Sequence, residues 1–181
     1  MANPTMTLIA SQVLGTSATS ITFSSIPQTY TDLKLVFSAR NTAAGAAGGI
    51  YKLNLNSDTS SLYSDTYIIA SGNGTIVSNI DSSVTQTYFG NLSTGALDSS
   101  GNTANTFASC ELYIPNYTST SSKQMLQYSV GEDNTISNGV LHLQANLYRG
   151  ASAITFISIG NYSTASFVAN SSFYLYGIKN S

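Results

Sequence analysis

Hydrophobic and polar residues alternate with a period of two along most of this chain. Leu33, Leu35, Phe37 and Ala39 fall on one side of a strand, with Asp32, Lys34, Ser38 and Arg40 on the other and Val36 as the exception. Tyr51, Leu53 and Leu55 alternate with Lys52, Asn54 and Asn56. Leu126, Tyr128 and Val130 alternate with Gln127 and Ser129, and Leu141, Leu143, Ala145 and Leu147 with His142, Gln144, Asn146 and Tyr148. Successive strand side chains point to opposite faces, so each pattern predicts a half-buried strand, apolar toward a core and polar toward solvent or a neighbour. Further strands are predicted over 6–14, 19–24, 66–70, 84–90, 106–115, 153–160 and 172–179. The run Ile154-Thr-Phe-Ile-Ser-Ile159 is apolar on both sides and predicts an inner strand.

No window has helical spacing. The Ala/Gly run 41–49 reads as a loop, as do 72–74, 95–102, 116–122 and 131–139, all rich in turn-forming residues. The weakly patterned stretch 71–106 is expected to hold the longest excursions. Eight to eleven short strands without crossover helices predict an all-β fold, an antiparallel β-sandwich of jelly-roll type. With no linker or repeat, residues 1–181 are expected to form one such domain.

Composition changes what this sandwich is expected to do. Only 8% of the residues are charged, and Ser, Thr and Asn, more than a third of the chain, supply the polarity. A neutral polar surface is covered by another subunit at modest cost, because desolvating a hydroxyl or amide costs far less than desolvating a charge. The net charge of −2 and six scattered Lys and Arg argue against nucleic acid as a partner. No apolar run is long enough for a membrane-spanning helix. The N-terminus has no signal-peptide pattern, which leads to the expectation of folding in a cytoplasm. The Asn-x-Ser/Thr sequons at Asn73, Asn91, Asn116, Asn161 and Asn170 then read as by-products of composition. Cys110, the single cysteine, is expected to be a buried hydrophobe.

Material for catalysis is sparse. Glu132 and Asp133 are adjacent in sequence and would diverge in a strand; Asp32, Asp58, Asp65, Asp81, Asp98 and Glu111 are scattered, so a glycosidase pair is not expected. His142 is the single histidine available to a Ser-His-Asp triad, and its alternation predicts a surface or interface position. Asn54, Asn56 and Asp58 have the alternate spacing of a calcium loop, but Thr59 and Asp65 occupy the places where Gly and Glu are needed. No cofactor is expected. Glycan binding has more support from the abundance of Tyr, Asn and Ser. Among Tyr63/Tyr67, Tyr113/Tyr117 and Tyr148, the stacking candidates chosen are Tyr117 and Tyr148.

Three strings, in order along the chain, resemble small virion proteins of tailed bacteriophages. They are Ser20-Ile-Thr-Phe-Ser-Ser-Ile-Pro-Gln-Thr-Tyr-Thr-Asp-Leu-Lys-Leu-Val-Phe-Ser-Ala-Arg40, Tyr113-Ile-Pro-Asn-Tyr-Thr-Ser-Thr120 followed by Lys123, and Phe173-Tyr-Leu-Tyr-Gly-Ile-Lys179. The resemblance implies a β-sandwich on the virion, assembled in the host cytoplasm, and carries no catalytic residue. The resulting expectation is a capsid decoration or cement protein that binds the major capsid protein or other virion proteins, with a homo-oligomer, a trimer first. A first strand near Met1 and a last one near Lys179 favour this over the alternative, a tail-fibre or receptor-binding head recognising host glycan. The contact residues expected are Thr5, Met6, Leu8, Asn41, Tyr176, Ile178 and Lys179, with the loop 41–49.

Overall fold

The computed structural model describes residues 5–43, 49–90, 97–132 and 139–179, and these form two antiparallel sheets with no helix among them. In chain order the strands are β1 (Met6–Val13), β2 (Ser20–Phe23), β3 (Asp32–Ala39), β4 (Tyr51–Leu55), β5 (Tyr63–Ser71) and β6 (Ile76–Val84). Then follow β7 (Thr87–Phe89), β8 (Ala108–Ile114), β9 (Lys123–Glu132), β10 (Gly139–Tyr148), β11 (Ile157–Asn161) and β12 (Ser172–Ile178). The large sheet runs β1-β12-β3-β8-β9-β10-β5-β6 and the small one β2-β11-β4-β7. The predicted β-sandwich is therefore the fold.

The expected strands are present, with one addition. Ile76–Val84 has no clean alternation, and it forms β6 by hydrogen bonding to β5. The predicted strand 84–90 shrinks to β7, and 153–160 starts as a strand only at Ile157; Phe156 in its approach is half-buried. β11 lies inside the small sheet, between β2 and β4, as an inner strand should.

The main core lies between the small sheet and the β12-β3-β8 part of the large one. Phe37 is its centre, stacked on Phe173 at 5.3 Å and edge-on to Phe89 at 4.8 Å. Phe167 packs against Phe173 and Tyr51, with ring centroids 5.1 and 5.3 Å away. Tyr51 is fully buried, with its hydroxyl 2.9 Å from the carbonyls of Ala39 and Asp98. Cys110 is buried in this core, and burial pushes its thiol pKa well up, so the small-hydrophobe reading agrees with its surroundings.

Two charges assigned to outward positions are in fact covered. The Arg40 guanidinium donates to the carbonyls of Asn102, Thr103 and Thr106 at 2.7–3.1 Å, tying the chain after β3 to the approach to β8. Asp32 accepts from the Tyr113 hydroxyl at 2.6 Å and the Asn116 amide at 2.8 Å. In both cases the alternation has the side right; folded-over chain supplies partners that it cannot reveal.

Lys123, at the start of β9, is 2% exposed and has no carboxylate partner among the described residues; its ammonium donates to the carbonyls of Gly150 at 3.1 Å and Ser152 at 2.5 Å. Burial lowers its pKa. Lys123→Met keeps the apolar stem and leaves two carbonyls without donors, which is expected to destabilise the fold by about 2 kcal/mol. A urea melt with an unchanged slope and a lower midpoint is the expected result; an unchanged midpoint would contradict the role.

Candidate interaction surface

The large sheet turns its apolar face outward over much of its width. On β8, Ala108, Cys110, Leu112 and Ile114 point into the core. The ladders carry that sidedness across the sheet, because directly opposite residues share a face. Cys110 lies opposite Ser129, and Leu112 opposite Gln127. Ser129 in turn lies opposite His142, Gln127 opposite Gln144, and Met125 opposite Asn146. The polar set of β9 and β10 is thereby buried, and the apolar set faces out. Leu126, Tyr128, Val130, Leu141 and Leu143 are 37–50% exposed, whereas Gln127, Ser129, His142, Gln144 and Asn146 are at most 4% exposed. This reverses the direction expected for both strands, and it moves His142 from the surface to the interior.

The buried polar set is held by β7, which lies beneath β9 and β10. Gln127 Nε2 donates to the Tyr88 carbonyl at 2.6 Å. Gln144 Nε2 donates to Thr87 Oγ1 at 2.8 Å and to Asn146 Oδ1 at 2.6 Å, and the Thr87 hydroxyl donates to the same Asn146 oxygen. A cavity of about 50 Å³ lies alongside, lined by Ile50, Asp65, Tyr67, Asp81, Tyr88, Gly90, His142 and Gln144. Neither ring nitrogen of His142 makes a hydrogen bond among the described residues, and burial lowers its pKa to about 4. Asp65 lies opposite Asp81 on neighbouring strands; burial, and then the Asp81 charge, raise its pKa to about 7. This acidic pair was not anticipated, because only the β5–β6 ladder brings residues 65 and 81 together.

The outer patch extends over five strands. One row runs Glu111, Tyr128, Leu143, Ile68, Ser78; the next runs Tyr113, Leu126, Ala145, Thr66, Ile80; a third runs Ser109, Val130, Leu141, Ala70, Ile76. Ile68, Ile76 and Ile80 are 48–73% exposed. Within the three rows, Glu111 pairs with Lys34 at 2.5 Å and accepts from the Tyr128 hydroxyl; Asp65 and Asp81 border the groove described next. A groove of about 630 Å³ lies over Ala145, bordered by Tyr113, Leu126, Leu147 and Ile80. A contiguous apolar area of this extent is larger than the few hundred Å² usual on a monomer, and exposed patches of this kind are characteristic of interaction surfaces.

The other expected site residues fall into three groups. Thr5, Met6, Leu8 and Lys179 are exposed, and Tyr176 and Ile178 are half-buried, on the paired β1 and β12 at one end of the large sheet. Asn41 corrects the expectation of a free loop: it is fully buried, donates from Nδ2 to Asn161 Oδ1 at 2.9 Å, and bridges to Ser99 and Phe167. Residues 44–48 of that loop lie outside the described residues, as does Asp133.

Tyr117 and Tyr148 correct the glycan expectation. They are 0% and 2% exposed; the Tyr117 hydroxyl donates to the Pro27 carbonyl and that of Tyr148 to Asp58 at 3.0 Å. Neither ring offers a face for a sugar to stack on. The Asn54/Asp58 pattern is a turn closed on itself, with Asn54 Nδ2 donating to the Asp58 carbonyl and Asp58 Oδ1 accepting from the Ser60 amide at 2.8 Å.

No family model and no curated protein matches the chain. Among solved structures, a fructofuranosidase from Schwanniomyces occidentalis complexed with fructosylnystose aligns over 99% of this chain at 6% identity with a TM-score of 0.31. The chain spans about a third (35%) of that protein's length.

Proposed function

We propose that this protein is a non-enzymatic structural subunit of a tailed-bacteriophage virion, a capsid decoration or cement protein that binds the outer shell and stabilises it. The observation that carries the reading is the outward apolar face of β8, β9, β10, β5 and β6, which is built for burial in an assembly rather than for contact with water. The exposed residues of the β1–β12 end, Thr5, Met6, Leu8 and Lys179, with Tyr176 and Ile178 beside them, are the contact to the major capsid protein. Among the described residues β1 pairs with β12 alone, so its other edge can pair with a neighbouring chain.

Connectivity supports a jelly-roll reading of the sandwich. The chain passes from β2 in the small sheet to β3 in the large one, back to β4, out to β5 and β6, and in to β7. It then leaves for β8, β9 and β10, returns at β11, and ends at β12. A jelly roll makes these crossings between two equal sheets. Here the β8–β9–β10 meander and the β1–β12 pair enlarge one of them.

The Asp65–Asp81 pair does not favour hydrolysis of a glycan. Both residues border the outer groove of about 630 Å³ as well as the inner cavity of about 50 Å³, but the Asp65 side chain is buried on the inner side of β5 with Tyr67, away from a sugar in the groove.

A protein that binds only the assembled shell stabilises it by mass action. Purified protein added to empty heads of the phage that encodes it is expected to pellet with them and to raise the temperature at which they melt. Protein left in the supernatant, with shell melting unchanged, would contradict the reading.

A further inference from the structure

We infer that a second copy of this chain covers the outer apolar face, in a two-fold, face-to-face contact between large sheets. The inference rests on reading that face as an assembly surface, and it names the occupant.

Area is the first argument. The large apolar side chains of the patch expose on the order of 900 Å², against the about 800 Å² that each partner contributes to a stable interface of standard size. A face of that size suffices for a dimer without recruiting any other part of the molecule. Its aliphatic and aromatic make-up matches the more hydrophobic interfaces of permanent homodimers, which resemble a domain core cut in half.

Charge is the second. Any charge near a two-fold axis is brought close to its own copy, where like charges repel. Glu111 is already neutralised by Lys34 at 2.5 Å, and Asp32 accepts from Tyr113 and the Asn116 amide at the rim; Asp65 and Asp81 border the groove as well as the inner cavity, with the Asp65 side chain buried on the inner side of β5. A patch made for a basic partner would present unpaired carboxylates on its exposed apolar rows, and among the described residues the carboxylate in those rows, Glu111, is already paired with Lys34.

Shape is the third. A two-fold contact requires a projection and a hollow on one patch, each filling the other's counterpart. Ala145 lies beneath the groove of about 630 Å³. Two residues away on the same side of β10, Leu143 stands between Tyr128 and Ile68, its cross-strand neighbours. The short side chain thus makes the hollow beside the ridge, and facing sheets pack about 10 Å apart with side chains interdigitated in this manner. Ile76 and Ile80 of the edge strand β6, 73% and 68% exposed, lie on the same face, so the second copy also shields that strand.

Sedimentation velocity of the full chain between about 1 and 100 μM tests this. The expected result is a dimer whose dissociation constant rises at least about 100-fold in Leu143→Asp and, independently, in Ile68→Asp. Both side chains are exposed, so circular dichroism should show both variants folded; Val13→Asp, outside the patch, should leave the dimer intact. A wild-type monomer at 100 μM, or a dimer indifferent to both patch substitutions, would overturn the inference. Pelleting with phage heads, run on the same preparations, separates the two claims. A monomer that pellets overturns the self-contact and leaves the virion reading standing; a patch-dependent dimer that does not pellet supports the self-contact and overturns the virion reading.

Discussion

Replacing Phe37 with alanine is expected to destabilise the fold by about 4 kcal/mol, the largest effect of any single truncation considered in this core. Phe37 is 1% exposed, and its ring contacts those of Phe89, Phe173 and Tyr51, so one substitution removes ring contacts to both sheets. Each aromatic contact adds about 1 kcal/mol beyond simple burial. The cavity left behind cannot collapse, since Cys110 and Phe173 flank the position on regular ladders. In a chain of this length the melting temperature should fall by about 10 °C. A fall of less than about 3 °C would show that the sheets are held together elsewhere.

The second large effect concerns pH. Asp65 has its pKa raised to about 7 by burial and by Asp81, whereas an unfolded aspartate titrates near 3.8. The folded state therefore holds a proton that the unfolded state has lost, and stability falls as pH rises from about 4 to 7. His142 behaves oppositely. Burial lowers its pKa to about 4 from 6.5, so the unfolded state holds the extra proton and stability rises across nearly the same interval. Each group contributes a slope of up to about 1.4 kcal/mol per pH unit, and the two oppose one another.

The consequence is specific. Relative to the parent protein, Asp65→Asn should gain stability progressively from pH 4 to 7, by about 3 kcal/mol at the upper end. His142→Gln should gain at pH 4 and converge on the parent above pH 6.5. Denaturant midpoints taken across this range decide it; parallel curves for parent and variants would mean that neither group is titrating in the buried layer.

How far the sequence foretold this structure depends on what an alternating pattern contains. Period-two alternation marks β3, β4, β9 and β10, and with the seven further predicted strands it accounts for eleven of the twelve strands and the sandwich. It missed β6, where Ile76, Ile80 and Val84 are too far apart to alternate and pairing with β5 alone maintains the strand. Alternation also cannot say which of two faces is inward; it says only that they differ. For β3 and β4 the apolar face is inward, but for β9 and β10 it is outward, because the ladder from β8 carries the inward side onto Gln127, Ser129, His142, Gln144 and Asn146.

One signal for that reversal was present. The polar faces of β9 and β10 carry Gln, Ser, His and Asn between the strand ends, with no carboxylate or cation. A strand face in water normally carries some charge, whereas a buried polar layer needs neutral groups able to bond to one another, as Gln144, Asn146 and Thr87 do. The low charge content, read as a sign of outer faces easily covered, belongs in part to this inner layer. Tyr117 and Tyr148 were misplaced for a related reason: a tyrosine at a strand end looks the same in sequence whether its hydroxyl meets water or, as here, the Pro27 carbonyl and Asp58.

In the assembled state the outer face of the large sheet is expected to be covered by protein. Hydroxyl-radical footprinting at tens of micromolar reads this directly, because two tyrosines of similar exposure in the single chain provide an internal comparison. Tyr128 lies in the patch at 37% exposure, and Tyr162 lies outside it at 47%. The expected result is strong protection of Tyr128, Leu126 and Leu143 that disappears on dilution, while Tyr162 and Val13 are oxidised at every concentration. Oxidation of Tyr128 and Leu143 as readily as Tyr162 and Val13, at all concentrations and on intact virions, would contradict it.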